Sequence, residues 1–174
     1  MFKVWFSNEP EQPSGRGPLD FGDDARDALA RARDAAIALN HKYVDTGHML
    51  RGIVEDPRCE GARALAALGV DVDELRRLAK VAAPAGARVV ALGSELPYLN
   101  DAKRALEGAM EERMRAGGGV ITSRHLLLGI ARQPRDVGGR VLAELGVTVD
   151  RLRGVESTGA AGLVRIDDES ELSI

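Results

Sequence analysis

The chain has little of several features that mark particular protein classes. Its 174 residues include one cysteine and only six aromatic residues: three Phe, two Tyr and one Trp. A single cysteine cannot form an internal disulfide, which excludes the disulfide-stapled secreted modules. With so few aromatic rings, the core must consist of small and aliphatic side chains. The 25 alanines favour packed helices over a sandwich or barrel.

Excess charge and long apolar runs are also lacking. Lys and Arg total 24 against 27 Asp and Glu, a net charge of -3, so there is no positive excess to collect nucleic-acid phosphates. No apolar run approaches the roughly 18 residues of a membrane span. The start MFKVWFSNEP does not have the basic-then-apolar order of a signal peptide. We therefore expect a cytoplasmic protein without nucleic-acid or membrane partners.

The sequence contains an internal duplication. Residues 21–78 align without a gap on residues 98–155, at a shift of 77 positions, and 22 of the 58 pairs are identical. The densest part begins at His48 and His125, where 17 of 29 positions match. Such a duplication determines architecture more firmly than local propensity does. We call the two stretches the first and second repeats.

Each repeat predicts four helices. In the first helix, roughly residues 23–39, apolar residues recur at three- and four-residue spacing. Thr46 and Ser123 are the expected N-caps of the second helices. The third helices are expected to end at the Leu-Gly pairs of residues 68–69 and 145–146, because glycine suits the left-handed residue after a helix. The predicted fold is all-α, with eight helices in a pseudo-twofold arrangement.

The repeats divide the chain into segments. We expect an N-terminal extension at 1–18, a double repeat at 19–156 with its linker at 79–97, and an acidic C-terminal tail at 157–174. Short runs of apolar or β-branched residues occur in the extension (FKVWF), the linker (ARVVAL) and the C-terminal segment (GLVRI). A small added sheet and irregular coil are both compatible with these runs.

Enzymatic signatures are weak. No lysine follows a glycine, which excludes the P-loop of an ATPase. His48 and His125 share one repeat position and are expected to be structural, like the capping Thr46 and Ser123, rather than metal ligands or bases. Cys59 begins a helix but has no recognisable base or oxyanion site. A hydrolase or metal enzyme using these two histidines and the cysteine is the least favoured alternative. No metal or cofactor is expected.

The duplicated motifs resemble the Clp N-terminal domain. An alanine-rich first helix is followed by TGHMLRGI and ALAALGV in the first repeat, and by SRHLLLGI and VLAELGV in the second. The resemblance covers about residues 19–156 and implies a pseudo-twofold domain of eight helices. In Clp chaperones this domain precedes the ATPase rings and receives substrates, adaptors or peptide-like ligands. Because no ATPase part is found here, the resemblance implies a free-standing, non-enzymatic binding module.

The resemblance also implies where a ligand binds. In the family, a groove between the two first helices takes peptide ligands. The matching positions here are Arg26, Leu29, Ala30, Tyr98, Lys103, Leu106 and Glu107. Aliphatic residues, one aromatic ring and flanking charges suit such a site. The alternative is that these residues form the seam between the repeats.

A second implication concerns phosphoarginine. Some bacterial members of the family bind it with the Glu of a Thr-Glu-His motif in each repeat. Gly47 and Arg124 stand at those positions here. A carboxylate pairs with a guanidinium, whereas glycine offers no acceptor and arginine repels the cation. We expect phosphoarginine not to be bound in the usual way.

These observations leave two functional hypotheses ahead of the enzyme. The first is a binding module for protein or peptide partners, such as a Clp chaperone, adaptor or substrate, acting as adaptor, decoy or regulator of Clp proteolysis. The runner-up is a scavenger of cyclic peptides or other small ligands that target Clp N-terminal domains.

Overall fold

The fold is built from helices. The computed structural model describes residues 20–82 and 96–160, with side chains described for 20–80 and 96–155. Eight α-helices occupy these ranges, which confirms the predicted all-α fold. They are α1 (Asp23–Ala38), α2 (Thr46–Val54), α3 (Glu60–Ala67), α4 (Val72–Ala82), α5 (Asn100–Arg115), α6 (Ser123–Ala131), α7 (Val137–Glu144) and α8 (Val149–Ala160).

Extended structure is minimal in the described ranges. It consists of two isolated parallel bridges, Phe21 with Ile121 and Val44 with Tyr98. The N-terminal extension, most of the linker and the acidic tail lie outside the described residues, as do the three β-like runs, so the predictions about them stay predictions. Among the helices described, none combines the length and apolar character needed to cross a membrane.

Two glycines allow the first and second helices of each repeat to cross at very short range. A Cβ at Gly52 would lie 2.2 Å from the carbonyl oxygen of Ala28, where α2 crosses α1. A Cβ at Gly129 would lie 2.0 Å from the carbonyl oxygen of Ala105, where α6 crosses α5. Both distances are far below van der Waals contact, so these crossings require glycine.

The two repeats are interleaved. Gly22, just before α1, donates its N–H to the carbonyl of Ile121 at 2.9 Å, and Leu99, just before α5, donates to Val44 at 2.9 Å. The helices also cross over, because α2 packs on α7 and α3 packs on α6. The buried apolar residues of both repeats form one continuous core. Each repeat therefore completes its core with residues of the other.

Two aspartates at equivalent positions join the repeats. Asp24 Oδ2 accepts hydrogen bonds from the N–H and hydroxyl of Ser123, at 3.2 and 2.6 Å. Asp101 Oδ2 accepts from the N–H and hydroxyl of Thr46, at 3.1 and 3.0 Å. Each hydroxyl also accepts a backbone N–H from the opposite repeat, at 2.8 and 3.1 Å. Thr46 and Ser123 are fully buried, so their polar groups depend on these bonds.

The predicted N-caps of the second helices were wrong by one residue. α2 and α6 begin at Thr46 and Ser123, and the N-caps are Asp45 and Thr122. Asp45 caps α2 by accepting the N–H of His48 at 2.9 Å. In each repeat two good capping residues are adjacent. The first of them caps the helix, because the second points its hydroxyl at the aspartate of the other repeat.

The predicted ends of the third helices are confirmed. α3 ends at Ala67 and α7 ends at Glu144. Gly69 and Gly146 follow with φ of +74° and +67°, the left-handed conformation in which glycine has no steric penalty.

A buried carboxylate joins α5, α6 and α8 in the second repeat. Glu112 is 3% exposed, and its two oxygens accept from Arg153 of α8 at 2.6 and 3.0 Å. Arg132 and Arg115 lie 3.6 and 3.8 Å from the same carboxylate. The hydrogen bonds from Arg153 lower the pKa of the Glu112 carboxyl, and burial opposes this with a weaker raising effect. Glu112 is therefore a charged residue inside the fold.

We expect the Glu112 contact to stabilise the protein only above acidic pH. Because its pKa is lower in the folded chain, the contribution is complete above the unfolded pKa of about 4.3 and is lost as the pH falls through the folded value. Glu112→Gln is expected to lower the free energy of unfolding by about 2 kcal/mol at pH 7. Urea titrations at pH 7 and pH 3 should show the difference from wild type shrinking at the lower pH.

The neighbouring glutamate provides the control for this prediction. Glu111 is exposed and, among the residues that the structure describes, pairs only with Arg132, so Glu111→Gln should change stability by less than about 0.5 kcal/mol. An equal loss of stability for Glu112→Gln at both pH values would contradict the charged role of Glu112.

Candidate functional site

The face between the first helices of the two repeats is the candidate site. α1 packs on α2 and also contacts α6, whereas α5 packs on α6 and also contacts α2. In the described structure these two helices make very little direct contact with each other. We define the α1–α5 face by the predicted groove residues: Arg26, Leu29, Ala30, Tyr98, Lys103, Leu106 and Glu107.

Repeat symmetry organises this face. Adding 77 to residue numbers 26, 29 and 30 gives 103, 106 and 107, so three residues of α1 match three of α5. The chemistry is not symmetric, because Ala30 of α1 corresponds to Glu107 of α5. A ligand on this face therefore meets a small side chain on one helix and a carboxylate on the other.

The residues of the face differ in accessibility. Arg26 and Ala30 are exposed, and Leu29 and Tyr98 are half-buried. Leu106 is 5% exposed and belongs to the core, so it supports the face from below. The structure thus leaves a surface of small, apolar and charged groups, with Leu106 mostly covered.

The phenol of Tyr98, just before α5, is influenced by a charge on α1. Burial raises the pKa of the Tyr98 phenol, and the nearby Arg33 guanidinium lowers it by a smaller amount. Arg33 lies in the second half of α1, and Tyr98 lies just before α5. Arg26, towards the other end of α1, pairs instead with Asp23 at 3.0 Å.

The two histidines at equivalent repeat positions both bond to the start of their helix. His48 Nδ1 accepts the N–H of Asp45 at 3.1 Å, and His125 Nδ1 accepts the N–H of Thr122 at 3.0 Å. His48 also lies 2.8 Å from Asp45 Oδ1. Burial raises the pKa of this aspartate, but its interactions with His48 outweigh burial and lower the pKa overall. Each histidine ring thus bonds to the backbone at the N-terminus of its own helix.

One histidine contact was missed by sequence reasoning. His41 Nδ1 lies 2.8 Å from His48 Nε2, with the two rings edge to face at a centroid distance of 4.8 Å. His41 has no histidine counterpart in the second repeat, where Gly118 occupies the position. Duplication therefore gave no signal for this pair. The seven-residue separation across a loop gave none either.

Cys59 is part of the packing. Its thiol is 3% exposed and donates to the carbonyl of Ile53 at 3.0 Å. Its sulfur also accepts the N–H of Ala62 at 3.5 Å, as the N-cap of α3. In residues 20–82 and 96–160, no three His, Cys, Asp or Glu side chains are grouped so that they could hold a metal ion.

The two positions associated with phosphoarginine have different surroundings. Gly47 is buried, and a Cβ there would lie 2.8 Å from Cγ1 of Val137 in α7. Arg124 is half-buried, and its Nη2 donates to the carbonyl of Leu152 in α8 at 2.5 Å. Neither position supplies a carboxylate. A side chain at position 47 would also require the Val137 side chain to shift.

Comparison with known proteins identifies the family. The family model described as "Clp repeat (R) N-terminal domain" matches residues 20–155. The chain belongs to the Clp N-terminal domain family. It is 30% identical over 133 residues to the negative regulator of genetic competence ClpC/MecB of Bacillus subtilis, covering 76% of this chain and 16% of that protein. It is 32% identical over 148 residues to the chloroplastic chaperone ClpC1 of Oryza sativa, covering 82% and 16%.

Solved structures of Clp N-terminal domains have the same fold. The N-terminal domain of ClpD from Arabidopsis thaliana aligns with a TM-score of 0.61 at 24% identity, covering 81% of this chain and 97% of that one. The N-domain of ClpV from Vibrio cholerae aligns with a TM-score of 0.66 at 15% identity, covering 87% and 94%. The chain thus corresponds to a whole Clp N-terminal domain and to about a sixth of the curated relatives' length.

Proposed function

We propose that this Clp N-terminal domain is a non-enzymatic module that binds protein or peptide partners on the α1–α5 face. Its partners would be a Clp chaperone, an adaptor or a Clp substrate, and its role that of an adaptor, decoy or regulator of Clp proteolysis. Family membership supports the class of function. The placement of α1 and α5 supports this site. Both helices contact α2 and α6, but they make very little direct contact with each other.

The chemistry of the face suits a peptide ligand. The exposed Ala30 lets a peptide backbone approach α1 closely, and the half-buried Leu29 and Tyr98 offer apolar surface beside it. Arg26 and Lys103 at equivalent positions, together with Glu107, add charges that would orient the ligand. These fixed charges would make binding specific, because a peptide whose own charges match their positions is favoured in one orientation.

A bulky charged residue at the centre of this face should block binding. We expect Ala30→Arg to weaken partner binding by at least about tenfold while leaving the fold intact, because position 30 is exposed. The matched control is Ala66→Arg, at an exposed position of α3. Pull-downs from the native lysate with wild type and both variants, quantified by mass spectrometry, measure the effect.

The outcomes distinguish the possible roles. Recovery of a Clp chaperone, adaptor or substrate by wild type and Ala66→Arg, with loss in Ala30→Arg, supports the proposal. Recovery of none of these, or equal recovery by all three proteins, contradicts it. A melting shift with a Clp-directed cyclic peptide, without protein capture, would favour the scavenger instead.

Phosphoarginine is expected not to bind at Gly47 or Arg124. Both positions are without the carboxylate that would pair with the guanidinium, and Gly47 is closed by Val137. A titration with a phosphoarginine peptide, alongside the same peptide with unmodified arginine, should show no preference for the modified form. Micromolar affinity specific to the phosphorylated peptide would show that this expectation is wrong.

A further inference from the structure

A cavity of about 270 Å³ lies between the second halves of α1 and α2. Its lining comprises Arg31, Asp34, Ala35, Ala38, Arg51, Gly52 and Glu55. On average the α1 residues among them point about a third of a turn away from Arg26, Leu29 and Ala30, given 3.6 residues per helical turn. The cavity therefore adjoins the α1–α5 face at Asp34 and opens on a different side of α1.

The second repeat shows how the same space can be filled. Glu112 and Arg115 occupy the positions equivalent to Ala35 and Ala38. The Glu112 carboxylate is buried, and Arg115 lies 3.8 Å from it. The second repeat thus places the buried Glu112 carboxylate here, with the largely exposed Arg115 guanidinium beside it. In the first repeat two alanines leave the region open.

The charged side chains around the cavity are only partly paired. The side chains of Arg51, Asp34 and Glu55 make no hydrogen bond or ion pair with any residue that the structure describes, and the two carboxylates among them are exposed to solvent. Arg31 donates from Nε to the Gly52 carbonyl at 2.9 Å, but its Nη2 has no partner and Asp56 is 3.9 Å away. Two guanidinium groups and two carboxylates therefore line one small cavity whose remaining lining is alanine and glycine.

We propose that this cavity binds a zwitterionic group, one carboxylate and one ammonium or guanidinium carried by the same small ligand. The carboxylate pairs with Arg51 and Arg31, and the cation pairs with Asp34 and Glu55. The ligand would thus bring one negative and one positive charge to the first repeat, whereas the second repeat has these charges on its own Glu112 and Arg115. A neutral ligand would leave the Arg51, Asp34 and Glu55 side chains without a charged partner among the described residues.

The size of the cavity suits a small ligand. Ligand pockets for drug-sized molecules begin at about 300 Å³, so the volume here suits a single amino acid or the charged ends of two neighbouring side chains of a peptide. The same chemistry has two sources: a free amino acid, or a cationic residue next to an acidic one in a partner protein. A ligand of about ten atoms is expected to bind in the millimolar range.

NMR titration of the full chain tests this proposal. The probes are L-alanine and L-lysine as free zwitterions, a blocked acetyl-lysyl-aspartyl-amide as the peptide source, and butyrate and butylamine as single-charge controls. We expect saturable shifts of the backbone amide signals of Ala35, Ala38 and Gly52 with at least one zwitterionic probe. Binding of either single-charge control should be at least about tenfold weaker.

Two variants make the test specific. Arg51→Leu introduces the residue of the second repeat, Leu128, and should weaken binding about tenfold. The double variant Ala35→Glu with Ala38→Arg copies the second repeat's filling and should abolish binding. Arg63→Leu, at an exposed position of α3, is the matched control and should bind like wild type.

Each outcome decides the proposal. Shifts with free amino acids support a small-molecule site, and shifts with the blocked peptide alone support a partner-protein site. The proposal is overturned if no probe saturates by about 50 mM, given millimolar expected affinity. It is also overturned if butyrate or butylamine binds as tightly as the zwitterions, or if Arg51→Leu binds unchanged.

Discussion

Replacing Gly129 by alanine is expected to destabilise the domain by about 3 kcal/mol. The new Cβ would lie 2.0 Å from the carbonyl oxygen of Ala105 and 2.9 Å from the backbone nitrogen of Ala109. The obstructing atoms are backbone, so they cannot rotate away, and α6 must separate from α5. Because this crossing is a major contact of the second repeat, the melting temperature should fall by about 6–12 °C.

A second glycine on the surface of the same fold provides the control. Gly154 of α8 has no atom within 4 Å of a Cβ placed there. Alanine is the better helix former, so Gly154→Ala should be neutral or stabilising by up to about 1 kcal/mol. Gly52→Ala should behave like Gly129→Ala, since its Cβ would lie 2.2 Å from the Ala28 carbonyl oxygen. If Gly52→Ala and Gly129→Ala both melt at the wild-type temperature, the close packing at these two helix crossings is contradicted.

Removing the carboxylate of Asp24 is expected to cost about 3 kcal/mol. Its Oδ2 accepts from the Ser123 N–H and hydroxyl, and from the Glu60 N–H at 3.3 Å. In Asp24→Ala the buried N–H and hydroxyl of Ser123 would lose their acceptor across the repeat boundary. Urea unfolding of the variant measures the loss, and it should remain a single transition because both repeats share one core.

The adjacent residue separates this role from a general charge effect. Asp23 has a side chain that is 95% exposed and pairs only with Arg26 among the described residues. Asp23→Ala removes the same charge from the same helix end, yet it should change stability by less than about 0.5 kcal/mol. Equal effects of the two substitutions would show that Asp24 acts through the helix end and not through Ser123.

The equivalent residue of the second repeat extends the prediction. Asp101→Ala should produce a loss similar to that of Asp24→Ala, because Asp101 makes the matching bonds to Thr46. The two effects should add, since each aspartate bonds to a different residue. A double variant with two separate unfolding transitions would indicate that these aspartates are what makes the repeats fold as one unit.

The parts of the fold that local patterns determine could be predicted from the sequence. The duplication predicted two equivalent sets of four helices, and the apolar spacing placed α1 within one residue of its observed end at Ala38. Gly69 and Gly146 marked the ends of α3 and α7, because a positive φ is favourable for glycine. These features depend on neighbours in the chain, so local sequence contains the necessary information.

Contacts between distant residues could not be predicted in this way. The Asp24 to Ser123 bond joins residues 99 positions apart, and no single-sequence pattern specifies it. The N-cap predictions were wrong for this reason. Thr46 and Ser123 were expected to cap their own helices, but their hydroxyls donate to aspartates of the other repeat. The contact between His41 and His48 crosses a loop whose path depends on tertiary structure.

The candidate site was predictable only in outline. Repeat symmetry and the family resemblance selected the residues of the α1–α5 face, but burial decides which of them a ligand can reach. Leu106 is in the core, whereas its repeat equivalent Leu29 is half-buried. The cavity beside α2 gave no signal, because it results from two alanines whose importance appears only when α1 is compared with α5 in three dimensions.

Photo-crosslinking from position 30 tests the central claim most directly. A photo-reactive amino acid at position 30 would lie at the exposed centre of the α1–α5 face, and one at position 66 of α3 is the control. In the native cell, we predict crosslinks from position 30 to a Clp chaperone, adaptor or Clp substrate, and few from position 66. Crosslinks of equal yield from both positions, or none to any of these proteins from position 30, would contradict the α1–α5 face as the partner-binding site.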